Sequence, residues 1–232
     1  MNRKDFLKRS AMGIGSIVAL SSAIACEKDE GIDIDSGTGM GDCEISPSET
    51  QGPFPIKTPS ELVRANIISD RKGVALLINI TVQDQNNDCQ PIAGALVDLW
   101  HCDNDGLYSE YGGTGMQQED LTDLDFLRGR QSTDANGRVS FISIYPGWYR
   151  GRAPHIHVEV LDENANSLLV TQIAFPEDIS STVYATEHYN GDADTSNSSD
   201  NVFSDSLEGN LGTISGNTTD GYTLEHTIVV SS

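Results

Sequence analysis

Short β-rich runs recur along this chain, each closed by a cluster of Gly, Asn, Asp or Pro. They cover Ala75 to Gln83, Ala93 to Cys102, Arg138 to Ile144, His155 to Leu161, Leu168 to Phe175 and Tyr222 to Val230. The turns between them include DQNNDCQP, the Asp134-Ala135-Asn136-Gly137 turn and DENANS. Strands this short, evenly spaced and separated by such turns predict an all-β sandwich of mixed and antiparallel strands, with long loops between them. In the first run Leu76, Ile78, Ile80 and Val82 share one face, and Leu77, Asn79 and Thr81 share the other. The first two runs, separated by a turn cluster, are expected to pair as a hairpin. Glu177 to Thr186 could form one short helix, and Asp192 to Asp200 (DADTSNSSD) reads as a polar surface loop. No helical period or tandem repeat competes with this reading.

The 232 residues carry 14 basic and 35 acidic side chains, a net charge of −21. That balance excludes duplex nucleic acid as a partner, because phosphate binding needs clustered Lys and Arg. The charge is unevenly spread. Residues 1–25 carry Arg3, Lys4, Lys8 and Arg9 against Asp5, and run into the apolar AMGIGSIVALSSAIA. A basic start before a short apolar run is expected to be an export signal. Ala23-Ile24-Ala25 before Cys26 resembles a lipoprotein box, and the Arg3-Lys4 start resembles a twin-arginine signal. The expectation is an exported protein anchored in the cell envelope, touching membrane only through a lipid on Cys26. Residues 26–42, with an acidic start and many Gly, Ser and Asp, read as a flexible tether. One folded domain is then expected over residues 43–232. With Cys26 lipidated, Cys43, Cys89 and Cys102 allow one disulfide and one leftover thiol, and spacing does not select the pair.

His155-Ile156-His157 is the sharpest chemical signal. On a strand, residues i and i+2 point to the same face, so the two imidazoles form half of a metal site. Tyr108 and Tyr149 complete a candidate set of two nitrogens and two oxygens, and Arg152 lies three residues before His155. The other candidates have plainer readings. His101 and Cys102 shape a turn, His188 and His226 are surface or strand polar residues, and Trp100 and Trp148 pack. Tyr111 lies close enough to touch a substrate.

Several blocks together resemble the intradiol ring-cleavage dioxygenases, most closely their secreted branch. They are CEISP running into ETQGPF, CQPIAGALV, WHCDNDGLYS, FLRG running into TD, PGWYRGRAPHIHV, and Thr171-Gln172, in order from Cys43 to Phe175. The resemblance implies a β-sandwich with a prealbumin-like core and a non-haem Fe(III) cofactor. It implies Tyr108, Tyr149, His155 and His157 as metal ligands, with Tyr149 also accepting a substrate proton. Arg152 would stabilise charge developing on the ring, and Gln172 would support the site. The implied reaction opens a catechol with O2, between its hydroxyl-bearing carbons, to a cis,cis-muconate-type diacid. The chemistry is consistent: Fe(III) is hard, and two phenolates with one hydroxide balance its charge, which a buried site tolerates. Gly151, Ala174 and the short RGRAP segment are expected to open the pocket. The acidic surface favours a neutral catechol unless Arg64, Arg128, Arg130, Arg150 or Arg152 makes a positive mouth. The segments Pro91 to Val97, Thr133 to Phe141 and Pro146 to Tyr149 also resemble prealbumin-like binding modules of surface lipoproteins, the non-catalytic alternative.

Overall fold

The computed structural model describes residues 43–113 and 115–232. The residues read as an export signal and a tether, with Cys26, lie outside the described residues. Among the described residues nine strands run in the order β1 (Ala75–Asp84), β2 (Gln90–Pro91), β3 (Leu96–Trp100), β4 (Arg128–Ser132), β5 (Arg138–Ile144), β6 (His155–Leu161), β7 (Ser167–Ala174), β8 (Thr213–Asn217) and β9 (Gly221–Val230). Between β7 and β8 lie two helices, α1 (Glu177–Tyr184) and the single turn α2 (Leu207–Asn210).

The strands form two sheets. In the first, β1 pairs in parallel with β9 on one edge, and antiparallel with β5 and then β2 on the other, while β8 flanks β9. The second sheet is antiparallel throughout, in the order β4-β3-β6-β7. The alternation read in β1 holds: Leu76, Ile78, Ile80 and Val82 are buried to within 1%. They meet Val97 and Leu99 of β3, Phe141 of β5, Ile156, Val158 and Val160 of β6, and Leu224 and Ile228 of β9 in one core. Burying each such side chain contributes about 1.5–3 kcal/mol, the main term holding the sheets together.

The expected hairpin of the first two runs does not form. β9 covers one edge of β1 from Leu76 to Asp84, and β5 covers the other from Ala75 to Thr81. Only Gln83 and Asp84 remain for β2. After Gly94, whose φ of +81° turns the chain, β3 enters the second sheet and brings Val97 and Leu99 to the core from the other side. β4 (RGRQS) and β8 (TISGN) were not readable as strands because neither has an apolar alternation. The Asp192 to Asp200 stretch is not simply a surface loop. Asn197 and Asp200 are buried, and Asn197 Nδ2 donates to the Phe175 carbonyl at 2.8 Å.

The disulfide joins Cys43 to Cys89, and Cys102 is free and buried. His101 is a structural residue, as expected. Its Nδ1 lies 2.7 Å from the Cys102 carbonyl and its Nε2 2.7 Å from Ser143 Oγ on β5. His226, read as a surface or strand polar residue, is a strand residue. It pairs with Ile80 and sits on the inward row of β9 between Leu224 and Ile228, half-buried. Burial depresses the pKa of both His101 and His226 to about 4. An unfolded histidine titrates near 6.5, so between pH 6.5 and 4 the unfolded chain binds the extra protons. Stability is therefore expected to be full above pH 6.5 and to fall as the pH drops towards 4. Urea midpoints measured across that range check it, and a midpoint no lower at pH 4.5 than at pH 7 would contradict it.

Candidate active site

β6 carries two faces of different character. Ile156, Val158 and Val160 enter the core, so His155 and His157 lie on the opposite face of the second sheet. Strand register sets His157 in a row across the whole sheet: Arg128 opposite Trp100, Trp100 opposite His157, and His157 opposite Gln172. Directly opposed residues share a face, so these four side chains form the floor of the site. The Trp100 indole stacks on the His157 ring at 5.0 Å with a 3° interplanar angle. On another side Gly52 comes so close that a Cβ there would lie 2.9 Å from His157 Cε1. Its φ of +69° is a second reason for glycine at that position.

Loops bring in the two tyrosines. Tyr108 follows a tight turn in which Asp103 Oδ1 accepts from the backbone N–H groups of Asp105 and Leu107, both at 3.0 Å. Gly147 N donates to the Asp103 carbonyl at 3.0 Å, so the turn before Tyr108 is tied to the loop that carries Tyr149. Gln117 accepts from Tyr108 N at 2.7 Å and donates to the Tyr108 carbonyl at 2.8 Å. The Phe54 ring packs 5.0 Å from the Tyr108 ring. Arg128, fully buried, donates to the carbonyls of Phe54 and Ser109 and to Ser109 Oγ, and pairs with Glu110 at 3.2 Å. It thereby fastens the segment ending at Phe54 to the Tyr108 loop.

The polar atoms converge on His155 Nε2. It lies 3.4 Å from Tyr108 Oη, 3.3 Å from Tyr149 Oη, 3.2 Å from His157 Nε2 and 3.4 Å from Arg152 Nη1. His155 Nδ1 is 2.6 Å from the Ala153 carbonyl, which fixes the proton on Nδ1 and leaves the Nε2 lone pair facing the centre. Burial, reinforced by Arg152, lowers the His155 pKa to about 3. Burial and then the His155 neighbour hold His157 well below its ordinary value. Both imidazoles are thus neutral, as a metal ligand must be. Burial also raises both tyrosines above their usual pKa, Tyr108 strongly. The phenols would ionise only beside a cation.

This donor set fits a hard trivalent ion. Two phenol oxygens and two neutral imidazoles converge, with donors 3.2–3.4 Å from His155 Nε2. Such spacing suits ligand bonds of about 2 Å. His157 Nδ1 is buried without a well-formed hydrogen bond. No cluster of three His, Cys, Asp or Glu among the described residues could hold a metal, so the tyrosines are needed to complete any such set. Arg152 reaches the same centre, with Nη1 3.4 Å from Tyr149 Oη, and its Nη2 donates to Gln172 Oε1 at 2.7 Å.

All six residues picked out in the sequence thus come together. Tyr111 stands beside them, its ring 5.2 Å from Phe54. Two participants were missed: Trp100, read only as packing, and Asp200, which pairs with Arg152 at 2.9 Å; Arg128, considered for a positive mouth, is instead fully buried and paired with Glu110. The strand register that places Trp100 and Arg128 beside His157 carries no local sequence signal. Asp200 looked like one of several acids in a polar run. A side chain at Gly151 would meet nothing within 4 Å, but Ala174 is fully buried with Ala153 and Phe203, so Phe203 takes up that space.

A family profile described as dioxygenase matches residues 52–188, a segment that ends before Asp200. The chain is 31% identical over 152 residues to a hydroxyquinol 1,2-dioxygenase of Rhizobium sp. (strain MTP-10005), covering 57% of this chain and 48% of that one. It is 33% identical over 115 residues to the protocatechuate 3,4-dioxygenase beta chain of Burkholderia cepacia, covering 46% of each. It therefore spans about half the length of these curated relatives. An intradiol ring-cleavage dioxygenase structure from Tetranychus urticae superimposes with a TM-score of 0.72 at 31% identity, covering 82% of this chain and 95% of that one.

Proposed function

The chain belongs to the intradiol ring-cleavage dioxygenase family, and from that membership we propose that it opens the ring of a catechol, between the two hydroxyl-bearing carbons, with O2. The product is a cis,cis-muconate-type diacid, which contains every atom of catechol and O2. The observation that carries this reading is the convergence of Tyr108, Tyr149, His155 and His157 around one point beside Arg152.

Those four residues would hold a non-haem Fe(III), which when bound supplies the Lewis acidity and the electronic coupling to O2 that the reaction needs. The protein's own groups do the rest. The Ala153 carbonyl keeps a proton on His155 Nδ1 and so keeps Nε2 free as a donor. Trp100 and Gly52 confine the His157 ring. Tyr149 is only partly buried, unlike Tyr108, so its Oη is the group placed to take a proton from an incoming catechol hydroxyl. Arg152 Nη1, 3.4 Å from that Oη, stabilises negative charge developing on the ring.

A neutral catechol suits this site better than an anionic one. Arg64 pairs with Asp125, Arg128 with Glu110, Arg130 with Asp98 and Arg152 with Asp200. Of the arginines that could make a positive mouth, Arg150 alone has no ion pair among the described residues, and it is exposed. Iron-loaded protein is expected to be burgundy from tyrosinate-to-Fe(III) absorption. It should consume O2 in equal amount to catechol and turn over catechol faster than its carboxylated analogue protocatechuate. A colourless protein that takes up no iron would remove the enzyme reading, and faster turnover of protocatechuate would remove the substrate preference.

A further inference from the structure

We propose that Asp200 is a positioning residue that aims the Arg152 guanidinium at the reacting centre. This rests on the catechol-cleaving reading of the site. Asp200 lies in the stretch that resembles a surface loop in the sequence, yet it has no exposed surface. Both of its oxygens meet Arg152 Nε, Oδ1 at 3.1 Å and Oδ2 at 2.9 Å. Each oxygen also accepts a backbone N–H: Oδ2 from Ala153 at 2.7 Å and Oδ1 from Val202 at 2.9 Å. The Ala153 contact matters because the carbonyl of that same residue holds His155 Nδ1. One carboxylate therefore fixes both the arginine and the backbone that orients a proposed metal ligand.

Gln172 completes the clamp. Its Oε1 accepts from Arg152 Nη2 at 2.7 Å, and its Nε2 is held by the Thr50 carbonyl at 2.8 Å. The Phe203 ring lies 5.7 Å from Arg152 Cζ. With Nε and Nη2 held from behind, Nη1 is the nitrogen directed at Tyr149 Oη and His155 Nε2. An arginine on its flexible stem loses rotamer freedom when it is held, and the buried carboxylate offsets that cost before substrate arrives. Asparagine could not do the same. It has one accepting oxygen for donors that now share two, and its NH2 would face another N–H.

The test is Asp200→Asn in the full chain. Iron-loaded protein is assayed with catechol, alone and in an Arg152→Lys background. The Asp200→Asn change is expected to lower kcat about 10–100-fold with KM within about threefold. In the Arg152→Lys background it should cost clearly less than in the wild type, because the part that acts through Arg152 is already lost and only the hold on Ala153 remains. Independently, Ga(III)-loaded wild-type protein (a diamagnetic ion of the same charge) should give a slowly exchanging Arg152 Nε–H signal in arginine 15N spectra. That signal should be lost in Asp200→Asn. The proposal is overturned if kcat stays within twofold, if the two substitutions multiply independently, or if the wild-type signal exchanges fast. Should Asp200→Asn not fold, the wild-type signal alone decides. Should no catechol be turned over, the functional reading fails while the Nε–H signal still decides whether Asp200 holds Arg152.

Discussion

His155→Ala is expected to bind less than a tenth of the iron taken up by the wild type and to lose about 1,000-fold or more in kcat/KM. The reason is geometric. His155 Nε2 is the atom around which the others gather, with Tyr108 Oη, Tyr149 Oη and His157 Nε2 all within 3.4 Å. Alanine removes that donor and leaves a void lined by Phe203 and the Ala153 carbonyl, neither of which can substitute. Tyr149→Phe should behave differently. Three donors remain, so iron is retained, but the visible band weakens and kcat falls about 100-fold through loss of the proton acceptor. Metal analysis, visible spectra and turnover on the same samples separate the two cases. Wild-type iron content and rate in His155→Ala would sink the ligand assignment.

Arg128→Ala is expected to destabilise the protein by about 3–5 kcal/mol. Arg128 is completely buried, and its guanidinium satisfies two carbonyls, a hydroxyl and the Glu110 carboxylate. Burial is costly enough to lower its own pKa to about 10, an effect that Glu110 opposes. Removing it leaves Glu110, itself only 7% exposed, without its ion pair, and the Phe54 and Ser109 carbonyls without their donor. The damage should reach the site, because these bonds hold the Tyr108 loop against the segment ending at Phe54. Urea unfolding measures the loss, and weaker iron uptake at temperatures where the variant is still folded measures its transmission. A loss below about 1 kcal/mol would show that the buried pair does not hold the loops.

The parts of the fold that could be read were those whose signal is local. Leu76 to Val82 alternate strictly, so β1 and its inward face were legible. β5 and β6 begin and end where their turn residues and branched side chains indicate. β4 was not legible, because Arg128 and Arg130 lie on the face away from the sandwich core, Arg128 buried in the floor of the site, and the core-side row offers only Gly129, packed against Ile67, and the polar Gln131. The expected hairpin of β1 failed because pairing preferences compete across the chain, and β5 and β9 had taken both edges. At the site, the tyrosines and histidines were legible as residue types in recognisable blocks. The space beside Ala174 was misjudged because Phe203 fills it from 29 positions further along the chain.

The sequence by itself therefore determined the class of fold and offered the candidate donors. Period two marks the strands and i, i+2 spacing sets His155 and His157 on one face, whereas Tyr108 and Tyr149 join the set through the blocks that resemble the family. Only the tertiary structure decided what surrounds those donors. Register across four strands set Arg128, Trp100 and Gln172 in line with His157. Chain return brought Gly52 and Asp200 to the same centre from opposite sides of the sequence. Such contacts form when the whole sheet finds the one alignment that buries its apolar face, and no local pattern encodes which distant polar side chain will then lie alongside.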